Sequence, residues 1–403
     1  MRGQVHHNNT SMTKHLFNYL RQSVFLVAIV AIAGCNTGRY ISSEMFRIDQ
    51  PYDAKENSAA SQSLFLIGDA GAPMLDRTEP NFIALQKQLS VLPEKNTVLF
   101  LGDNIYPAGL PPTNDNARAI SERILDEQLR IVEQSGARGI FIPGNHDWNQ
   151  DNVDGFERIR NQENYIAAKG NPRIQLLPKN GCPGPEVLNI GSSVRIIILD
   201  TQWWLLAGMK STDISKGCTN TTKRDILDAL SVALRTAGSR YVIVAAHHAL
   251  ETHGPHGGFF DWRDHLFPLR NFASWLLLPL PGIGSIYPLA RNSGISEQDL
   301  SHALYEEMRK SIDSVLTLYP PLAYVAGHEH TLQVLKGSKK YFALVSGNGI
   351  SAHSSALTTA PSTLFADRKA GFMRIDFGDE PVLRIFQPTE EGEGVEVFRM
   401  FLK

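Results

Sequence analysis

The chain has 403 residues, of which 42% are hydrophobic and 20% charged, the balance of a soluble globular protein with a sizeable core. A formal net charge of −2 provides no global field to recruit nucleic acid, so no nucleic-acid binding is expected. Three cysteines, Cys35, Cys182 and Cys218, are too few for a disulfide-built scaffold and lack the paired spacing of a structural zinc site.

Val24 to Gly34 is an uncharged apolar run, preceded by Lys14 and Arg21 and followed by Cys35. Basic residues, a short apolar stretch and small residues before a cut are the layout of a secretory signal. The run is shorter than the roughly 20 residues of a comfortable transmembrane helix. Ile32-Ala33-Gly34-Cys35 resembles a bacterial lipoprotein box, which implies lipidation of Cys35 and removal of everything before it. An uncleaved anchor helix is the alternative. Asn36 after the cysteine resembles the pattern sorted to the outer membrane, facing the periplasm or cell surface. The expected organisation is a signal over 1–34, a polar tether over 35–61 and one folded domain over 62–403. In an oxidising compartment Cys182 and Cys218 could pair; two buried free thiols are the alternative.

From residue 62 a rhythm begins. Short apolar runs at Leu64–Ile67, Val98–Leu101, Gly139–Ile142, Val194–Leu199, Tyr241–Ala245, Leu322–Val325 and Tyr341–Val345 predict buried strands. Between them Asn81–Leu92, Ala117–Glu133, Lys223–Thr236 and Glu297–Leu316 carry helical periodicity. The alternation predicts an α/β domain whose strands are covered on both faces. Over residues 371–403 the texture changes to strands alone, at Phe372–Phe377, Val382–Gln387 and Val395–Leu402.

The strand ends carry the chemistry, and carboxyl ends of buried strands are where such sheets place ligands. Gly68-Asp69, Gly102-Asp103 with Tyr106, Gly144-Asn145-His146-Asp147, Ala246-His247 and Gly327-His328-Glu329-His330 follow five of the runs. Each glycine is expected to let the chain turn so that the next side chain enters a common crevice. A single Gly-Asp pair is more often only a turn, and a lone histidine is usually just a satisfied polar residue. Five strand ends that deliver Asp, Asn, His and Tyr in fixed order are a much stronger signal.

This order resembles the calcineurin-like metallophosphoesterase superfamily over roughly residues 62–350, and most closely its purple acid phosphatases. Their pattern GDxG, GDxxY, GNH(D/E), VxxH and GHxH is met by Asp69, Asp103 with Tyr106, Asn145 with His146, His247, and His328 with His330. The resemblance implies a four-layer αββα sandwich of two mixed sheets flanked by helices. It further implies one metal held by Asp69, Tyr106 and His330, a second held by Asn145, His247 and His328, and Asp103 bridging them. Hard anionic oxygens at the Tyr106 site suit Fe(III), and the neutral second set suits Zn, Mn or Fe(II). The implied activity is hydrolysis of small phosphate monoesters by attack of a metal-bound hydroxide, with a phosphodiesterase acting on nucleotides or phospholipid headgroups as the close alternative. An inactive surface-binding lipoprotein is the alternative of another class.

His146 resembles the family's substrate-contacting histidine, with Asp147 expected to orient it or else to serve as a cap. His248 is expected to point elsewhere on an extended chain. Glu251-Thr252-His253-Gly254-Pro255 resembles an EHGP stretch displaced by Thr252, which leaves His253 and His256 as rival leaving-group acids. Trp148 departs from the pattern of the small enzymes, where a histidine is common. Finally, Phe272 to Ala290 holds no charge, and Pro279, Pro281 and Pro288 forbid a continuous helix. It reads as a packed loop or as an interfacial hairpin touching the membrane, with Arg270 and Arg291 at headgroup level.

Overall fold

A computed structural model describes residues 38–43, 45, 60–206, 217–271 and 276–403. The apolar N-terminal run, Cys35, most of the tether and residues 272–275 lie outside them. Contacts divide the chain into a large unit, Gly38–Phe259 with Leu289–Lys403, and a small one that includes Phe260–Pro288.

The elements run β1 (Tyr40–Ile41), β2 (Gln62–Ile67), α1 (Pro80–Leu89), β3 (Asn96–Phe100), α2 (Arg118–Ser135), β4 (Arg138–Phe141), α3 (Gly155–Ala168) and β5 (Ile174–Leu176). Next come β6 (Glu186–Ile190), β7 (Val194–Ile198), α4 (Gln202–Leu205), α5 (Lys223–Arg235), β8 (Tyr241–Ala245), α6 (Trp262–Leu266) and α7 (Ile286–Asn292). The chain closes with α8 (Ala303–Leu318), β9 (Ala323–Ala326), β10 (Leu332–Leu335), β11 (Phe342–Ser346), β12 (Thr363–Asp367), β13 (Phe372–Phe377), β14 (Val382–Pro388) and β15 (Gly394–Phe401).

These strands form two mixed sheets, ordered β15-β14-β13-β2-β3-β4-β5 and β1-β12-β10-β11-β9-β8-β7-β6. In the first, β2 to β5 are parallel and β13 to β15 extend it antiparallel. In the second, β7, β8, β9 and β11 are parallel, with antiparallel strands outside them.

Alternation along each strand builds the layers. Leu64, Leu66, Leu99 and Ile140 pack between the sheets against Ile196, Ile198, Ile243 and Val325. Their neighbours Phe65, Ile67, Val98 and Phe100 face the other way, onto Phe82, Leu85, Leu125 and Leu129 of α1 and α2. On the far side Ile197 and Val244 meet Leu230 of α5 and Met308 of α8. The result is the αββα sandwich.

The C-terminal strands fall at Phe372–Phe377 and close to the other expected bounds. Helices α3, α4, α6 and α7 and strands β1, β5, β6, β10 and β12 were not anticipated, and β1, within the stretch expected to be a tether, pairs with β12. β5 has only three residues, and β6 alternates between half-buried and exposed positions, so neither forms an apolar run. The last long helix begins at Ala303, because the His302 side chain caps it by accepting from the Leu304 N–H. The residues ahead of it, expected to be helical, form a loop with a functional consequence described below.

Candidate metal centre

Asp69, Asp103 and His328 all sit in the left-handed backbone region, at φ of 55°, 54° and 67°. Non-glycine residues rarely occupy it, and they persist there when surrounding structure holds them. Thus the ligand candidates themselves make the turn after Gly68 and Gly327, contrary to the role expected for those glycines. Those glycines serve close approach instead. A Cβ on Gly327 would lie 2.6 Å from the Asp69 carboxylate, and one on Gly144 would run into the Asp103 carboxylate.

The side chains converge as two groups of donor atoms. In one group the Tyr106 hydroxyl lies 3.2 Å from Asp69 Oδ1, 3.0 Å from Asp103 Oδ2 and 3.1 Å from His330 Nε2. In the other, Asn145 Oδ1 is 2.9 Å from His247 Nε2 and 3.2 Å from His328 Nδ1, while His247 Nε2 is 3.5 Å from Asp103 Oδ1. Asp103 therefore turns one oxygen to each group.

Tautomers follow from the backbone. His247 donates from Nδ1 to the Leu101 carbonyl at 2.8 Å, and His328 donates from Nε2 to the Gln298 carbonyl at 2.8 Å. Each ring then points its bare nitrogen at Asn145 Oδ1. Three lone pairs facing one another inside a buried pocket repel unless a cation lies among them. Donor atoms about 2.0–2.2 Å from one ion are themselves about 3–3.5 Å apart, which is the spacing seen here. The residues present fit two cations.

The electrostatics agree. Burial pushes the Asp69 carboxyl up to about 8, opposed by His247 and reinforced by the charge of Asp103. For Asp103 burial also pushes upward, but His247, His146 and hydrogen bonds bring the carboxyl down to about 2. Burial, followed by the two carboxylates, raises the Tyr106 phenol well above its ordinary value, so ionising it calls for a cation at the oxygen. Burial holds His330 down to about 4 and His328 well below the ordinary range, so both rings are free to ligate.

A sequence model of the calcineurin-like phosphoesterase family matches residues 63–332. The chain belongs to the calcineurin-like phosphoesterases. Its fold is similar to that of the purple acid phosphatase PPD1 from yellow lupin (Lupinus luteus) seeds, at a TM-score of 0.50 and 14% identity, covering 84% of this chain and 53% of that one. It therefore spans about half the length of the lupin enzyme. The GAP50 anchor of the Plasmodium inner membrane complex is also similar, with a TM-score of 0.49, 14% identity and coverage of 85% and 89%. No curated protein matches the sequence.

Around the phosphoesterase centre the remaining candidates separate. His146 stands at the crevice with its Nδ1 donating to the Pro107 carbonyl at 2.6 Å and its Nε2 4.0 Å from Asp103 Oδ2. Asp147 does not orient it. The buried Asp147 carboxylate accepts instead from the Gly144, Asn104 and Ile105 N–H groups and the Asn104 amide, tying the second motif loop to the third. Trp148 is a core residue whose indole N–H donates to Asp200 at 2.8 Å.

His253 and His256 part company. His253 places Nε2 3.1 Å from the Ser362 hydroxyl and 3.6 Å from Glu251, away from the donor atoms. His256 packs its ring on His328, with centroids 4.0 Å apart. The tight approach behind it needs Gly254, since a Cβ there would strike the buried Glu329 carboxylate. His248 lies directly behind the ligands, with Nδ1 against Thr201 Oγ1 and Nε2 against Gln298 Oε1, so it does not point elsewhere.

Sequence reasoning missed three groups. His353 stacks on His330 at 4.7 Å and meets the Tyr106 ring edge-on at 4.7 Å. It follows strand β11 and Gly347-Asn348-Gly349, so the strand-end logic applied elsewhere could have found it. Gln298 supplies a carbonyl to His328, and Asp299 a carboxylate to His256 at 3.0 Å. Both lie on the loop ahead of α8, where helical periodicity masked them. Arg291 is paired with Asp299. Cys182 and Cys218 are joined as a disulfide.

Proposed function

We propose that this protein is a dinuclear metal-dependent phosphomonoesterase of the purple acid phosphatase kind, exported and lipid-anchored through Cys35. One observation carries the reading: Asn145 Oδ1, His247 Nε2 and His328 Nδ1 face each other as bare acceptors beside Asp103, while Tyr106 completes a second donor set. Asp69, Tyr106 and His330 would hold one cation and Asn145, His247 and His328 the other, with Asp103 between them. The phenolate and carboxylate donors support Fe(III) in the first set, and the neutral donors support Zn, Mn or Fe(II) in the second. Bound, the pair would supply Lewis-acid polarisation of a phosphate oxygen and a water of lowered pKa.

The protein's own groups do the rest. With Nδ1 fixed by the Pro107 carbonyl, His146 offers Nε2 as a donor to a substrate phosphate oxygen. His256 commits Nδ1 to Asp299 and the Gln298 carbonyl, which leaves Nε2 to pass a proton to the departing ester oxygen. Export is supported by the apolar run ahead of Cys35 and by the Cys182–Cys218 disulfide, which suits an oxidising compartment.

The test is turnover of a chromogenic phosphate monoester and of the matching diester by metal-loaded protein, beside Asn145→Ala. Monoester hydrolysis lost in the variant is expected. Faster diester turnover would replace the reading with a phosphodiesterase, and equal rates in both proteins would favour a binding lipoprotein.

A further inference from the structure

Within the small unit, Leu277, Leu278, Ile283 and Ile286 are 60%, 52%, 64% and 62% exposed. No charged residue occurs anywhere from Phe272 to Ala290. Monomeric proteins scatter exposed aliphatic side chains singly, and a charge-free cluster of them within ten residues marks a contact surface.

Part of the backbone beneath them is already satisfied without water. Pro279 and Pro281 have no N–H to satisfy, and the N–H groups of Leu280, Gly284 and Ser285 donate within the unit, to Leu266, Leu280 and Gly282. Polar side chains pair within the unit: His265 meets the Ser285 hydroxyl at 3.1 Å and Asp261 caps α6 reciprocally with Asp264. The same unit carries two amphipathic aromatics, Trp262, 40% exposed, and the half-buried Tyr287, whose ring meets Phe260 at 5.9 Å.

We propose that the face formed by Leu277, Leu278, Ile283 and Ile286 seats in the interfacial layer of a phospholipid bilayer. Two features favour lipid over a second protein copy. The exposed set has no polar or charged member to orient a specific partner, and the chain there offers no strand edge. The chain also carries its own reason to be at a membrane, the apolar run Val24–Gly34 and Cys35. The face lies in the membrane without crossing it: among the described residues no helix is long and apolar enough to span. This inference is independent of the hydrolytic reading.

The experiment places a reporter on the face of the full chain. Ile283→Trp and Ile286→Trp proteins are reconstituted into phosphatidylethanolamine–phosphatidylglycerol vesicles with and without acyl-brominated phosphatidylcholine. The fluorescence added over the parent chain is then read. A tryptophan within the acyl boundary is expected to lose about half or more of that increment to bromine, as the depth of interfacial segments implies. Val153→Trp, at a fully exposed loop position of the large unit, is expected to lose none. Turnover of a soluble chromogenic ester should be unchanged in all three, so the result stands apart from the test of activity. Absence of quenching at 283 and 286, equal quenching at 153, or a dimer in sedimentation that shields both positions overturns the proposal.

Discussion

His256 packs against His328, ring centroids 4.0 Å apart and planes tilted by 35°, while its Nδ1 is 3.0 Å from a carboxylate oxygen of Asp299. Asp299 is almost wholly buried and is held in turn by Arg291. The Asp299 carboxylate is thus a positioning group. It fixes the His256 tautomer and, against the opposing effect of burial, raises the His256 pKa above its ordinary value. A reaction that needs protonated His256 slows as pH rises through that raised pKa. Asp299→Asn removes the charge, so the basic limb of the kcat/KM profile is expected to move to lower pH. Esters with poor leaving groups should lose about tenfold or more, and activated aryl esters much less. Equal losses for both esters would make Asp299 merely structural.

Metal uptake should depend on pH through Asp69. Its carboxyl is held up to about 8 in the metal-free protein, so a cation entering the Asp69–Tyr106–His330 set displaces the Asp69 proton below that pH, and the Tyr106 proton both below and above it. Apparent affinity for that set is expected to climb about a hundredfold per pH unit below about pH 8, where both protons are displaced, and about tenfold per unit above it. Calorimetric titration with Zn across that range reads the slope, and an affinity flat with pH would contradict it. Tyr106→Phe should lose one of the two metals by elemental analysis. If Fe(III) occupies that set, the variant should also lose its tyrosinate charge-transfer absorption.

His146 and Asp147 are adjacent but have different tasks. His146→Ala leaves the Pro107 carbonyl at a solvent-accessible edge, so stability should hold within about 0.5 kcal/mol while kcat falls about a hundredfold or more. Asp147→Ala strands the buried N–H groups of Gly144, Asn104 and Ile105 and should cost about 3 kcal/mol. Urea unfolding of both variants distinguishes these roles; a stable Asp147→Ala protein would restore a catalytic part for that residue.

The Cys182–Cys218 bridge closes a segment of 36 residues. Limiting the unfolded chain in this way contributes about 2–4 kcal/mol. The double Cys182→Ser, Cys218→Ser protein should therefore melt lower yet keep its turnover at low temperature, because the bridge touches no donor atom of the centre.

Periodicity and spacing made much of this protein legible. The parallel strands were written as apolar runs because both faces are covered, and such burial demands unbroken Ile, Val, Leu and Phe. The motif residues were legible because a candidate ligand at a strand's carboxyl end sits at the turn itself, beside a glycine that permits close approach, a local constraint that leaves local letters. Glu297 to His302 show where that reasoning stops. Their letters continue the helix pattern of α8, and only the His302 cap frees Gln298 and Asp299 to reach His328 and His256.

By itself the sequence determined the alternation of buried strands and helices and the ordered motifs at the strand ends, since each follows from a local pattern, and the resemblance those motifs carry implied the layered sandwich and the seven candidate ligands. Tertiary structure alone decided which of His253 and His256 adjoins the centre, that Asp147 braces loops, and that His353 walls the Tyr106 side. Those outcomes depend on distances between residues far apart in the chain. A shift of a few ångströms in packing changes them without changing a single letter.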